Sequence, residues 1–151
     1  MVSPELLSRC ALFAALPPPA LAQIAKFCDE VALPPHSYLF EQKRPSDKLF
    51  LLLEGTVDLL MDMDEDGVER SVVERLVADD VVGWSALVEP HKYKLSAVAA
   101  SGMKAISINA LKLREYLAAN PEYGYSVVLR VAHIIGERLS HMRTRFLSMA
   151  D

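Results

Sequence analysis

The spacing of apolar residues along this chain switches period twice, and the switches divide it into three regions. Up to residue 30 the spacing is helical. Ser3-Pro4 puts a serine N-cap ahead of a proline at the first helical position. Pro17-Pro18-Pro19 breaks that helix, and Leu21, Ile24, Ala25 and Cys28 recur as one face of a second. From Val31 the period falls to two. Strands are predicted at Val31 to Leu33, Tyr38 to Phe40, Lys48 to Glu54, Thr56 to Met63, Arg70 to Leu76, Val81-Val82, Ser96 to Ala99 and Lys104 to Ile108. Glu54-Gly55 and Asp66-Gly67 read as tight turns between them. Val57, Leu59, Met61 and Met63 alternate with Asp58 and Asp62, giving that strand one apolar face. Short strands with frequent turns predict a mainly β fold, a jelly-roll-like roll of two sheets flanked by helices. After Asn109 the helical period returns, with one helix over Ala110 to Ala119 and a long one from Asn120-Pro121 nearly to the end. The expected organisation is one domain: N-terminal helices over 1–30, a β-roll over 31–109 and C-terminal helices over 110–151.

The last helix carries two apolar rows. Val128, Ala132, Ile135, Leu139, Met142, Phe146 and Met149 follow a 4-3-4-3-4-3 spacing, the seam of a helix that pairs with a second copy. Val127, Val131 and Ile134 form a second row suited to packing on the body. A homodimer through this helix is the expectation. Gly136 costs about 1 kcal/mol in a helix interior but allows close approach. Arg138 would face Arg143 of the partner helix in a parallel pair; otherwise Arg138, Arg143 and Arg145 complement the helix C-terminus.

Composition narrows the function. Apolar residues make up 52% of the chain and charged residues 24%, a globular balance. The net charge of −4 argues against direct nucleic-acid binding, which needs a basic face. No apolar run approaches the roughly 18 residues of a membrane span. The apolar stretch from Cys10 to Ala22 imitates a signal peptide but is cut by three prolines, so a cytoplasmic protein is expected. Cys10 and Cys28 are too few for a disulfide framework or a structural metal site and read as buried thiols.

Val82-Gly83-Trp84-Ser85-Ala86-Leu87-Val88 combines a glycine turn with a short helical start, and Lys92-Tyr93-Lys94-Leu95-Ser96-Ala97 follows it into a strand. Free backbone N–H groups at such a start attract an anion. Asp62-Met63-Asp64-Glu65-Asp66-Gly67 resembles the opening of a calcium loop, but the twelfth position is Val73 and the flanks read as strands, so an acidic hairpin turn is expected. His36, His91, His133 and His141 are scattered. No nucleophile is paired with a recognisable base and no metal motif appears, so the chain is read as non-enzymatic and without a metal.

In order, Leu12-Phe13-Ala14-Ala15-Leu16, the run from Leu39-Phe40-Glu41-Gln42-Lys43-Arg44 to Leu53-Glu54-Gly55-Thr56-Val57, and Gly83-Trp84-Ser85-Ala86-Leu87 resemble the cyclic-nucleotide-binding domain of the cAMP receptor protein (Crp/Fnr) family. The resemblance spans essentially the whole chain. It implies a ligand-sensing regulatory domain that takes cAMP or cGMP. In that family backbone N–H groups of the cassette hold the cyclic phosphate, a glutamate after the glycine binds the ribose 2′-hydroxyl, and a downstream arginine pairs with the phosphate. Here Gly83 matches, while Trp84 stands at the glutamate position and Tyr93 or Lys94 at the arginine position, with Lys92 nearby. Lys43-Arg44 replaces a usual glycine and acid, and His36 a usual glycine. The residues that meet the purine fall near Met142 and Arg143. The expected ligand site is therefore Gly83, Trp84, Ser85, Ala86, Leu87, Lys92, Tyr93, Lys94, Met142 and Arg143, with nucleotide specificity altered or lost. The alternative is a degenerate pocket in a dimerisation adaptor. The family's transcription factors continue into a winged helix-turn-helix. Ending at Asp151, the chain is expected to be a stand-alone sensor or the sensor part of a longer regulator.

Overall fold

The computed structural model describes residues 2–149. Helix α1 (Pro4–Leu7) starts on Ser3, whose hydroxyl accepts the Glu5 N–H, and α2 (Pro18–Ala25) starts after Pro17. A 3₁₀ turn, Ala11–Phe13, lies between them. Eight strands follow: β1 (Cys28–Leu33), β2 (Tyr38–Phe40), β3 (Lys48–Glu54), β4 (Val57–Asp62), β5 (Arg70–Leu76), β6 (Val81–Val82), β7 (Ser96–Ala99) and β8 (Met103–Asn109). Helices α3 (Ala110–Ala119) and α4 (Pro121–Met149) close the chain, and the Asn109 side chain caps α3 by accepting the Lys112 N–H.

The strands form two four-stranded antiparallel sheets, ordered β1-β8-β3-β6 and β2-β7-β4-β5. The roll expected from the alternation is therefore present. The central strands of the first sheet explain the densest apolar run in the sequence. Leu49 and Leu51 of β3, with Ile106 and Ile108 of β8, join the core shared with the helices. Phe50 and Leu52, with Met103 and Ala105, join a second core together with β4 and β7 residues. A strand buried on both faces has no polar alternation to show. Ala97, Ala99 and Ala105 in that second core keep its volume small.

Some boundaries and faces move. Strand β1 begins at Cys28 rather than Val31, so Cys28 opens a strand instead of ending a helix; its thiol donates to the Ile24 carbonyl at 3.2 Å. Burial pushes both thiols up to about 12. On β4 the outward Asp58 is nearly buried beneath a two-pronged pair with Arg75, its cross-strand partner, at 2.7 and 3.1 Å. Met61 and Met63 are exposed, since the β4–β5 hairpin end is open to solvent. The acidic turn folds on itself: the Asp64 carboxylate accepts the N–H groups of Val68 and Glu69. His36 and Lys43, where the resemblance leads one to expect glycine, have a glycine-like backbone with φ of 72° and 74°. Among the described residues, no helix is long and apolar enough to cross a membrane.

Gly55 is the tightest point of the roll. Its φ is +85°, and a Cβ there would lie 2.3 Å from the Gly102 carbonyl oxygen and 3.0 Å from the Met103 Cα. Backbone atoms cannot swing aside as a side chain can. Gly55→Ala is expected to lower stability by about 2–4 kcal/mol, read as a fall in the urea midpoint at unchanged m-value.

Candidate functional site

Gly83 leaves β6 with φ +89° and ψ 39°, which swings the chain into the 3₁₀ turn Trp84–Leu87. Only glycine adopts that φ without strain. A Cβ would also come within 3.2 Å of the Phe40 ring and 3.4 Å of the Tyr93 ring. The turn is held from three sides. The Ala86 N–H donates to the Gly83 carbonyl at 3.0 Å, the Ser46 hydroxyl donates to the Ser85 carbonyl at 3.1 Å, and the Arg114 guanidinium of α3 donates to the Ala86 carbonyl at 2.5 Å. The Ala86 N–H is thus engaged within the turn.

A cavity of about 190 Å³ lies between this turn, the β2-β7-β4-β5 sheet and α4. Gly83, Trp84 and Ser85 form one wall and Lys94 and Leu95 another. Phe40 and Leu59 come from the sheet. Helix α4 closes the cavity with Ile135, Arg138, Leu139 and Met142. Five of the ten expected ligand residues are brought together here: Gly83, Trp84, Ser85, Lys94 and Met142. The other five are not among its lining. Ala86 is fully buried and Leu87 packs on the helix-side core. Lys92 is exposed and bridges to Pro45, and Arg143 is exposed on α4.

Tyr93 is 4% exposed and serves as a structural pin. Its ring stacks on Phe40 at 3.7 Å and 6°. Its hydroxyl donates to the Lys48 carbonyl at 2.6 Å and accepts the Lys48 N–H at 3.2 Å. Its own carbonyl accepts the Lys43 N–H, and its N–H donates to the Arg44 carbonyl. Lys94, one residue on, is exposed and lines the cavity.

Residue-by-residue reading of the sequence missed Arg138. It lies three positions after Ile135 and four before Met142, hence on the same helix face. Its Nη2 donates to the Val81 carbonyl at 3.0 Å, and its Nε lies 3.3 Å from a Glu74 carboxylate oxygen. Burial lowers its proton affinity and Glu74 and Asp80 partly restore it; a guanidinium stays charged regardless. Arg138 therefore neither complements the helix C-terminus nor stands free on the surface. Glu74 also meets His141 at 3.4 Å, and Arg145 donates to the Val73 carbonyl, so three α4 side chains dock on β5. The dimer-seam positions divide. Val128, Leu139, Met142, Phe146 and Met149 are between 50% and 85% exposed, while Ile135, Leu139 and Met142 also border the cavity. Ala132 is exposed, and the second row packs inward as expected, with Val127 and Val131 buried.

The family model of the cyclic nucleotide-binding domain matches residues 30–120. Two curated relatives, the CRP-like cAMP-activated global transcriptional regulators of two Mycobacterium tuberculosis strains, are 26% identical over 118 residues, covering 78% of this chain and 52% of theirs. The chain spans about half the length of these relatives. Among solved structures, a candidate cyclic nucleotide-binding protein from Geobacter metallireducens is 33% identical with a TM-score of 0.82, over 92% of this chain and 99% of that one. The N-terminal domain of a Streptomyces coelicolor transcriptional regulator is 25% identical with a TM-score of 0.69, over 87% and 93%.

Two outcomes follow from the pin and the docked helix. Burial pushes the Tyr93 hydroxyl up to about 12, above its unfolded value of about 10. Its stabilising contribution is therefore complete below about pH 10 and lost as pH rises through about 12. Tyr93→Phe should cost about 1–3 kcal/mol at neutral pH, and alkaline urea melts should show the difference from wild type shrinking. Glu74→Ala should release the C-terminal half of α4, costing about 1–2 kcal/mol. Faster limited proteolysis within residues 138–149 is the check.

Proposed function

The chain belongs to the cyclic nucleotide-binding domain family, and from that premise we propose that it is a ligand-sensing regulatory module whose nucleotide specificity is altered. Ligand enters the cavity between the Gly83 turn and α4, and its contacts reset how α4 sits on the roll. Trp84 is the observation that carries this reading. By the resemblance of its cassette it stands where the family has its sugar-binding acid, and it lines the cavity and packs on the helix-side core. Among the described residues, no carboxylate lines the cavity. A ribose hydroxyl left without its acceptor forfeits a bond worth about 1.5–3 kcal/mol when the partner is charged. Lys94 offers a phosphate a point charge without the two-pronged fork of an arginine. cAMP and cGMP are thus weak ligands at best, and the module acts without catalysis.

The output is dimerisation through α4. Phe146 and Met149 are 70% and 85% exposed beyond the cavity, and burying such side chains against a second copy is favourable by about 1.5–3 kcal/mol each. The same exposed face supports the adaptor reading, in which the cavity is inert and the helix alone acts.

Trp84 is the only tryptophan, so its fluorescence reports the cavity directly. Titration with cAMP and then cGMP, checked by calorimetry, is expected to show no saturation at micromolar concentration. The double variant Trp84→Glu, Lys94→Arg should bind cAMP at least about tenfold more tightly, about 1.4 kcal/mol. Tight binding by the unaltered protein would refute the altered specificity. Phe146→Glu should give monomers by light scattering with an unchanged circular dichroism spectrum.

A further inference from the structure

The side chains around the cavity are rich in donors and poor in acceptors. Lys94, Arg138 and the Trp84 indole donate only, and Ser85 supplies the one hydroxyl. Among the described residues, no acid and no carboxamide lines it. The remaining side chains, Phe40, Leu59, Leu95, Ile135, Leu139 and Met142, present carbon and one thioether. A sugar or a purine brings donors of its own and meets one side-chain hydroxyl for all of them. A carboxylate brings only acceptors. The cavity volume, about 190 Å³, is below the roughly 300–1,000 Å³ of pockets for drug-sized ligands. Its occupant is compact.

The two cations reach the cavity from different elements. Lys94 lies on the segment leading into β7, and no salt bridge among the described residues involves it. Arg138 comes from α4 and is held in place by Glu74 and the Val81 carbonyl, so its guanidinium is oriented before any ligand arrives. Glu74 and Asp80 face Arg138 but do not line the cavity.

We infer that the cavity takes a compact apolar carboxylate, an aryl- or short alkyl-carboxylic acid. Its charge faces Lys94 and Arg138, and its apolar body lies against Trp84, Phe40 and the Ile135–Leu139–Met142 row. This rests on the ligand-sensing reading and names the chemistry of its ligand. Because the charge is met by one cation from the roll and one from α4, the ligand ties the helix to the roll.

Phenylacetate and octanoate, each against its neutral amide, would be titrated into the full chain with Trp84 fluorescence and calorimetry as readouts. At least one acid is expected to saturate and to bind tenfold or more tightly than its amide. Lys94→Gln, a change at an exposed side chain that spares the fold, should erase that preference. Hydrogen exchange along α4 should slow when the acid is bound. Equal binding of acid and amide would overturn the carboxylate assignment and leave the sensor reading standing. cAMP binding more tightly than either acid would overturn the assignment in favour of the family's own ligand class. Binding by neither acid would overturn the assignment. If cAMP and the amides also leave Trp84 and the heat unchanged, the sensor reading falls with it.

Discussion

Burial of β3 and β8 on both faces is the constraint on which the rest of the structure depends. Leu49, Leu51, Ile106 and Ile108 serve one core, and Phe50, Leu52, Met103 and Ala105 the other. The first sheet is therefore the shared wall between helices and roll. It fixes where α3 and α4 lie, since Leu113, Val127 and Val131 belong to the helix-side core. It also fixes the Gly83 turn, because β6 pairs with β3 through Phe50 and Leu51 immediately before that turn. A pocket assembled from a turn on one element and a helix on another needs this common reference, or its walls would move independently.

Much of this was legible in the sequence. The strands from Lys48 to Glu54 and from Arg70 to Leu76 have the predicted bounds, as does the helix from Ala110 to Ala119, because period and turn chemistry are local properties of the chain. The site was half legible. Gly83, Trp84, Ser85, Lys94 and Met142 meet at the cavity. Tyr93 illustrates what period cannot reveal. Its neighbours are Lys92 and Lys94, a setting that makes it a ligand candidate by resemblance, and only the fold shows Phe40 stacked on its ring and Lys48 bonded to its hydroxyl. His36 and Lys43 are a related case. Neither residue type advertises a positive φ, and main-chain bonds to Ala99 and Tyr93 impose it.

The α4 row exposes a different ambiguity. A 3.5-residue repeat drifts by about 20° per heptad around a straight helix. A stripe running from Val128 to Met149 therefore does not look in one direction along its length. In its middle it passes over the cavity, where Ile135, Leu139 and Met142 become lining; toward its end Phe146 and Met149 look into solvent. The sequence registers one stripe because both environments select the same residue types.

That sharing has a mechanical consequence. Leu139 and Met142 touch the cavity yet remain 65% and 50% exposed, so each has surface left over for a second helix. Whatever fills the cavity alters the backing of the residues a partner would contact. Side-chain packing is close enough that a displaced row is felt by its neighbours. The docking contacts of Arg138, His141 and Arg145 on Glu74 and Val73 set the resting position from which such a displacement would start. His141 and Arg145 are exposed where they dock, the first on the Glu74 carboxylate and the second on the Val73 carbonyl, and exposed polar contacts of this kind contribute about 1 kcal/mol or less each. Beyond Arg138, α4 is thus held by contacts weak enough for a single ligand's differential affinity to outweigh. Its N-terminal half, with Val127 and Val131 in the core, is not.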